Sequence, residues 1–215
     1  MPTSERSKVE VKGLEAKYYD QLMWALTLGG YQKIIKRSVR DTGVKKGDTV
    51  LEFGCGTGIA AEEFLKIIGP DGKYIGLDIS DVMIEKARKK LKKFPNATFI
   101  KVRAEEPLPF ENEFDIAYTS FVFHGFEMPD RIQLLKNAFK ALKSGGRMCI
   151  FDYASFDIER SNPLVKYFIT KVECPLAAEF IMSDLKKLFI DTGFTDYDEK
   201  LYAKGYIRLA CGTKP

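Results

Sequence analysis

Glu52 stands just before Gly54, Gly56 and Gly58, and no lysine or arginine occurs from Val50 to Glu62. The glycines follow an apolar, strand-like run and precede a helix-like one with Ile59, Ala60, Ala61, Phe64, Leu65, Ile67 and Ile68. A glycine turn between strand and helix lets a ligand lie against bare backbone, because no Cβ stands in the way. Phosphate sites add amide donors and often a cation. Here a carboxylate would repel phosphate, so the loop suits a positively charged nucleoside without phosphate. S-adenosylmethionine, with its ammonium and sulfonium, fits that chemistry.

Asp78 closes the apolar run 73–77 and lies twenty residues after Gly58. That spacing brings a strand-end carboxylate to ribose hydroxyls, two of which can donate to one acid. Asp78 could instead cap a helix starting near Asp81, although Ser80 and Asp81 are better placed for that. His124 is the single histidine. Its ordinary pKa suits a base near neutrality that deprotonates an acceptor hydroxyl or ring, and packing or surface exposure is its other reading.

These residues need a scaffold of alternating strands and helices. Further strand-like runs are 97–102, 114–119 and 147–152, and a helical pattern with Ile132, Leu134, Leu135, Ala138, Phe139 and Leu142 leads to Gly145-Gly146, expected to stop it. Ser183 or Asp184 is expected to start a last helix ending at Gly193, before strands near 195–201 and 205–212. Residues 153–181 form the irregular region, with Asn162-Pro163 and Cys174-Pro175 among aromatic side chains. Ligands sit at the carboxyl edge of open α/β sheets, so this insertion is expected to form an acceptor-side lid with the N-terminal helices.

In order along the chain, Leu51-Glu52-x-Gly54-Cys55-Gly56-Thr57-Gly58, Asp78-x-Ser80-x-x-Met83, Ala104-Glu105 with Leu108-Pro109-Phe110, Phe114-Asp115 and Leu142-Lys143-x-Gly145-Gly146 resemble the class I S-adenosylmethionine-dependent methyltransferases. The segments Tyr18-Tyr19-Asp20 through Leu28-Gly29-Gly30 and Gly205 to Lys214 are most similar to the ubiquinone/menaquinone biosynthesis C-methyltransferases. The resemblance implies an α/β, Rossmann-like fold: a seven-stranded, mostly parallel sheet with its last strand antiparallel and helices on both faces. It also implies cofactor contacts from Glu52, Gly54, Cys55, Gly56, Gly58 and Asp78. Ile79 and Met83 would flank adenine, Ala104 and Glu105 its exocyclic amine, and Thr119 and Ser120 the path to the methyl group. Tyr18, Tyr19, Trp24, Phe123 and Tyr153 are the candidate acceptor contacts. Arg103 stands where this family usually has Asp or Asn.

A chain of 215 residues with 45% hydrophobic content can bury one core, so we expect a single domain. Its expected parts are an N-terminal helical cap (1–42), a cofactor-binding core (43–152), the acceptor-side insertion (153–181) and a final helix with strands (182–215). Thirty-four basic against 30 acidic residues leave net +4, too balanced for a strong nucleic-acid preference. The basic run 86–93 reads as a solvated helix face, since no aromatic residue interleaves it. Cys55, Cys149, Cys174 and Cys211 show no metal-ligand spacing and are expected to be buried free thiols; no metal is expected. Residues 1–13 lack a signal peptide's apolar core and no apolar run reaches membrane-spanning length, so the expectation is cytoplasmic. The expected function is methyl transfer from S-adenosylmethionine to a small apolar or aromatic acceptor, quinol-like or lipid-related. An RNA methyltransferase and a non-catalytic adenosylmethionine-binding protein are the alternatives.

Overall fold

The computed structural model describes residues 30–215. Seven strands form one sheet: β1 (Thr49–Phe53), β2 (Lys73–Asp78), β3 (Ala97–Lys101), β4 (Phe114–Ser120), β5 (Leu142–Tyr153), β6 (Thr195–Tyr202) and β7 (Ile207–Thr213). Their order is β3-β2-β1-β4-β5-β7-β6. The strands from β3 to β5 run parallel, while β7 is antiparallel to both β5 and β6. The expected seven strands with an antiparallel last one are therefore present. After β1 the chain winds toward β3, and after β4 it winds the other way. The carboxyl ends of β1 and β4 thus flank the switch point, where open α/β sheets bind ligands.

Helices α1 (Gly30–Asp41), α2 (Ile59–Ile68) and α3 (Asp81–Leu91) cover one face. The other carries α4 (Met128–Ala141), α6 (Pro175–Met182) and α7 (Leu185–Thr192). Each has a local cause. Ser80 caps α3 by accepting from the Met83 N–H at 3.5 Å, and Asp81 with Arg88, Lys89 and Lys90 complements its dipole. Asp184 caps α7 by accepting from the Lys187 N–H, and Gly193 closes it at φ 104°.

Helix α4 ends earlier than the glycines suggested. Leu142 turns extended, and residues 143–146 become the start of β5. Backbone pairing accounts for the change: the Gly145 N–H donates to the Lys214 carbonyl and the Lys214 N–H to the Gly146 carbonyl, each at 2.8 Å, while Lys143 Nζ sits 2.9 and 2.8 Å from the two oxygens of Asp115 on β4.

The cysteine expectation needs correction. Cys149 and Cys211 lie directly opposite each other on β5 and β7, with Cα atoms 4.2 Å apart, and they form a disulfide. That separation belongs to an antiparallel pair whose side chains approach most closely. Cys55 and Cys174 remain free thiols. The argument from cysteines to a reducing compartment falls with that pairing. No helix among the described residues is long and apolar enough to cross a membrane.

In the insertion, a short helix α5 (Pro163–Tyr167) runs into a π-helical turn (Phe168–Val172) before α6. Phe180 of α6 reaches the core, while Leu164, Tyr167, Phe168 and Val172 stay exposed.

Candidate functional site

The ends of β1, β2 and β4 enclose a cavity bordered by Glu52, Gly54, Cys55, Gly56, Asp78, Ile79, Met83, Ser120, Phe121 and Val122, with Tyr31 and Ile35 from α1 and Ile59 and Ala60 from α2. No lysine or arginine is among the residues that line it. Gly54, Asp78, Ile79 and Val122 also border a second cavity, completed by Leu77, Val102, Arg103, Ala104, Glu105 and Phe126. The two make one elongated cleft. Arg103 brings no free charge to it, because its Nε lies 2.5 Å from Glu105 Oε1.

The three loop glycines all have positive φ, at 71°, 51° and 79°, but differ in what they leave room for. A Cβ on Gly54 would come within 2.6 Å of Val122, whereas one on Gly56 would meet nothing within 4 Å and would project into open space. Gly58 is not a lining residue: its Cβ would meet Leu91 Cδ1 at 2.8 Å, so this glycine brings α2 close to α3. Asp78 holds the loop shut. One of its oxygens accepts from the Gly56 N–H at 2.8 Å and the other from the Ser80 N–H at 2.9 Å.

Glu52 is 1% exposed and accepts a short hydrogen bond from the Tyr74 hydroxyl. Burial raises its pKa to about 8; the Tyr74 hydrogen bond opposes that rise and the Asp78 charge adds to it. Gly76 lies opposite Glu52 in the parallel register, and a Cβ there would meet Cys55 and the Tyr74 hydroxyl at 2.9 Å. Tyr74 and Gly76 therefore build the Glu52 pocket together, and neither was singled out in the sequence. Burial also pushes the Cys55 thiol well up, with Glu52 and Asp78 adding to the effect, so it stays protonated.

Three expectations along the strand-four exit are corrected. Thr119 points the other way from Ser120, into the opposite core, where its Oγ1 has no hydrogen-bond partner. Phe123 is fully buried against Phe180, with ring centroids 5.8 Å apart, rather than facing an acceptor. His124 lies in a 3₁₀ turn and borders none of these cavities. Its backbone N–H and Nδ1 donate to the two oxygens of Asp152 at 3.1 and 2.8 Å, and Nε2 sits 3.6 Å from Glu173 Oε1. Burial works against a charge on its ring, but Asp152 outweighs it and raises the pKa well above the ordinary histidine value. Glu173 in turn sits at about 2, since hydrogen bonds from His124 and Tyr153 overcome its own burial.

Two residues that looked like ordinary helix positions hold this region in place. Asn137 donates from Nδ2 to the carbonyls of Ala104 and Glu106 at 2.8 and 2.7 Å, fixing one wall of the second cavity. Arg131, fully buried, donates to the carbonyls of His124 and Leu176 at 3.0 and 3.2 Å and to Glu179 at 3.0 Å. No periodicity separates such residues from solvated ones on the same helix.

A third cavity of about 300 Å³ lies under the insertion, lined by Tyr153, Phe156, Leu164, Val165, Phe168, Ile169, Ala203, Tyr206 and Ile207. Its wall residue Tyr153 meets Phe121 of the cofactor-side cavity edge-on, ring centroids 6.1 Å apart. Tyr18, Tyr19 and Trp24 lie outside the described residues.

A family profile described as "Methyltransferase domain" matches residues 50–146. A ubiquinone/menaquinone biosynthesis C-methyltransferase of Pasteurella multocida is 28% identical over 220 residues, covering 91% of this chain and 80% of that protein. A demethylmenaquinone methyltransferase of Staphylococcus aureus is 33% identical over 175 residues, covering 81% and 68%. Among solved structures, a SAM-dependent methyltransferase from Aquifex aeolicus superposes with a TM-score of 0.66 at 20% identity, covering 84% of this chain and 89% of that one.

Proposed function

The chain belongs to the class I S-adenosylmethionine-dependent methyltransferases, and from that premise we propose that its acceptor is a small apolar or aromatic molecule, a quinol-like ring being the best fit. The cofactor is S-adenosylmethionine. The observation that carries its placement is the cleft itself: two carboxylates, no lining cation in the main cavity, and a glycine whose missing Cβ leaves open backbone.

When bound, S-adenosylmethionine supplies an activated methyl on a sulfonium. The protein's own task is therefore alignment and exclusion of water. In this reading Glu52 faces the ammonium and Asp78 the ribose while anchoring the loop. Gly54 and Gly56 offer bare backbone. Ile79 and Met83 flank the adenine, and Ala104 and Glu105 form the far wall. Ser120, Phe121 and Val122 lie where β4 ends and stand between the cofactor and the acceptor.

For the acceptor, support comes from the third cavity, whose lining has no charged side chain, and from the Phe121–Tyr153 contact beside it. The quinone-related names of the relatives point the same way. His124 does not serve as an acceptor-facing base in this reading, since both of its ring nitrogens face carboxylates.

The test uses the full chain with methyl-labelled S-adenosylmethionine and two acceptors, a reduced demethylnaphthoquinone and bulk RNA. Label is expected in the organic extract. Label in RNA alone overturns the acceptor reading.

A further inference from the structure

We propose that His124, Glu173 and Cys174 form a binding site for one divalent transition-metal ion of the zinc class, with a coordination position left open. The imidazole, carboxylate and thiol donor atoms all lie within 4.8 Å of one another, and His124 Nε2 is 3.6 Å from Glu173 Oε1. Tetrahedral zinc with ligand bonds of about 2.0–2.3 Å places its donors roughly 3.2–3.8 Å apart. Only a small inward shift is required. One nitrogen, one oxygen and one sulfur form a borderline-soft set that suits zinc or cobalt and disfavours magnesium and calcium.

Orientation of the ligands supports the assignment independently of their proximity. Asp152 binds His124 Nδ1 at 2.8 Å, which leaves Nε2 aimed at Glu173 and Cys174. A carboxylate behind a histidine is the usual outer partner of a metal-bound imidazole. The Tyr153 hydroxyl donates to Glu173 Oε2 at 2.5 Å, while Oε1 accepts from the Cys174 N–H at 3.0 Å and lies on the side of His124 Nε2. The two ligand-bearing segments are also fixed relative to each other, because Arg131 donates to the carbonyls of both His124 and Leu176. Glu173 and Cys174 are only partly buried, so the site can be reached from solvent. Binding would release the Nε2 and thiol protons to solvent, with imidazole and thiolate each giving a lone pair to the cation. An occupied site would pin the insertion to the turn that follows β4, beside the Phe121–Tyr153 wall.

The full chain, stripped with a chelator, is titrated with cobalt and with zinc in competition with a chromophoric chelator. One equivalent should bind, and the cobalt form should show a thiolate-to-metal charge-transfer band. Cys174→Ser should abolish the band and weaken zinc at least tenfold, while Cys55→Ser keeps both. Tyr153→Phe should weaken zinc without removing the band. Thermal melts confirm that each variant is folded, and the half-buried, near-isosteric Cys174→Ser avoids stripping the buried Asp152 of its imidazole partner, as His124→Ala would. Substoichiometric binding, or a band that survives Cys174→Ser, overturns the site.

Discussion

Asp78 Oδ2 accepts from the Gly56 N–H at 2.8 Å, so the carboxylate at the end of β2 fastens the middle glycine of the loop at the end of β1. The same residue therefore shapes the loop and, in the proposed reading, also offers acceptor atoms to the ligand. Asp78→Ala should weaken S-adenosylhomocysteine binding by about 2–4 kcal/mol, from the loss of charged hydrogen bonds at about 1.5–3 kcal/mol each. Calorimetry on a variant shown to be folded checks this. An unchanged dissociation constant would leave Asp78 with the loop-anchoring role alone.

With Glu52 facing the ammonium as proposed, cofactor binding should depend on pH. Its folded pKa of about 8 lies above the ordinary 4.5, so folding favours the protonated form. The associated stability is fully present below about pH 4.5 and is lost as pH rises toward 8. A ligand ammonium favours the ionised form, so S-adenosylmethionine affinity should rise between pH 6 and 8 by up to about tenfold per unit. Glu52→Gln should flatten both trends. Proton release, read by calorimetry in buffers of different ionisation enthalpy, should vanish in that variant; equal slopes in the two proteins would refute the assignment.

Gly56 and Gly58 should separate binding from stability. Gly56→Ala fits sterically, so it should cost about 1 kcal/mol of stability for its positive φ. Its methyl group, projecting into the cleft, should reduce cofactor affinity. Gly58→Ala carries the same positive-φ cost and also meets Leu91 at 2.8 Å, so overpacking should add about 1–3 kcal/mol to its loss of stability. Denaturant melts and cofactor titrations on both variants give the comparison, and equal losses of affinity would show that both glycines face the ligand.

Arg131→Met should destabilise the protein by about 1–3 kcal/mol, because it leaves the carbonyls of His124 and Leu176 without their donor. Glu179, 53% exposed, keeps its charge in water and adds little. The insertion should become more sensitive to protease than the β1–β3 half. Uniform protection across the chain would show that Arg131 does not tie the insertion down.

Local pattern determined a good deal about this protein. Alternating apolar runs and capping residues placed the strands and helices, with Ser80, Asp184 and Gly193 marking helix ends as expected. Glu52, the glycines and Asp78 were legible as a cation-tolerant cofactor loop because their spacing is short and their types are chemically restrictive. The end of α4 was not legible, since the glycine segment pairs through its backbone with Lys214, far along the chain, and becomes the start of β5.

What tertiary structure alone decided are the relations between distant residues. Strand register set Cys149 opposite Cys211 and Gly76 opposite Glu52, leaving room for Tyr74 to reach the acid. Strand alternation turned Thr119 away from the cleft while Ser120 faced it. His124 meets Glu173 and Cys174 across 49 and 50 residues of chain. Periodicity reports which side of its own element a residue occupies. It carries no information about which distant element arrives on that side, and burial, charge and ligand geometry all depend on that arrival.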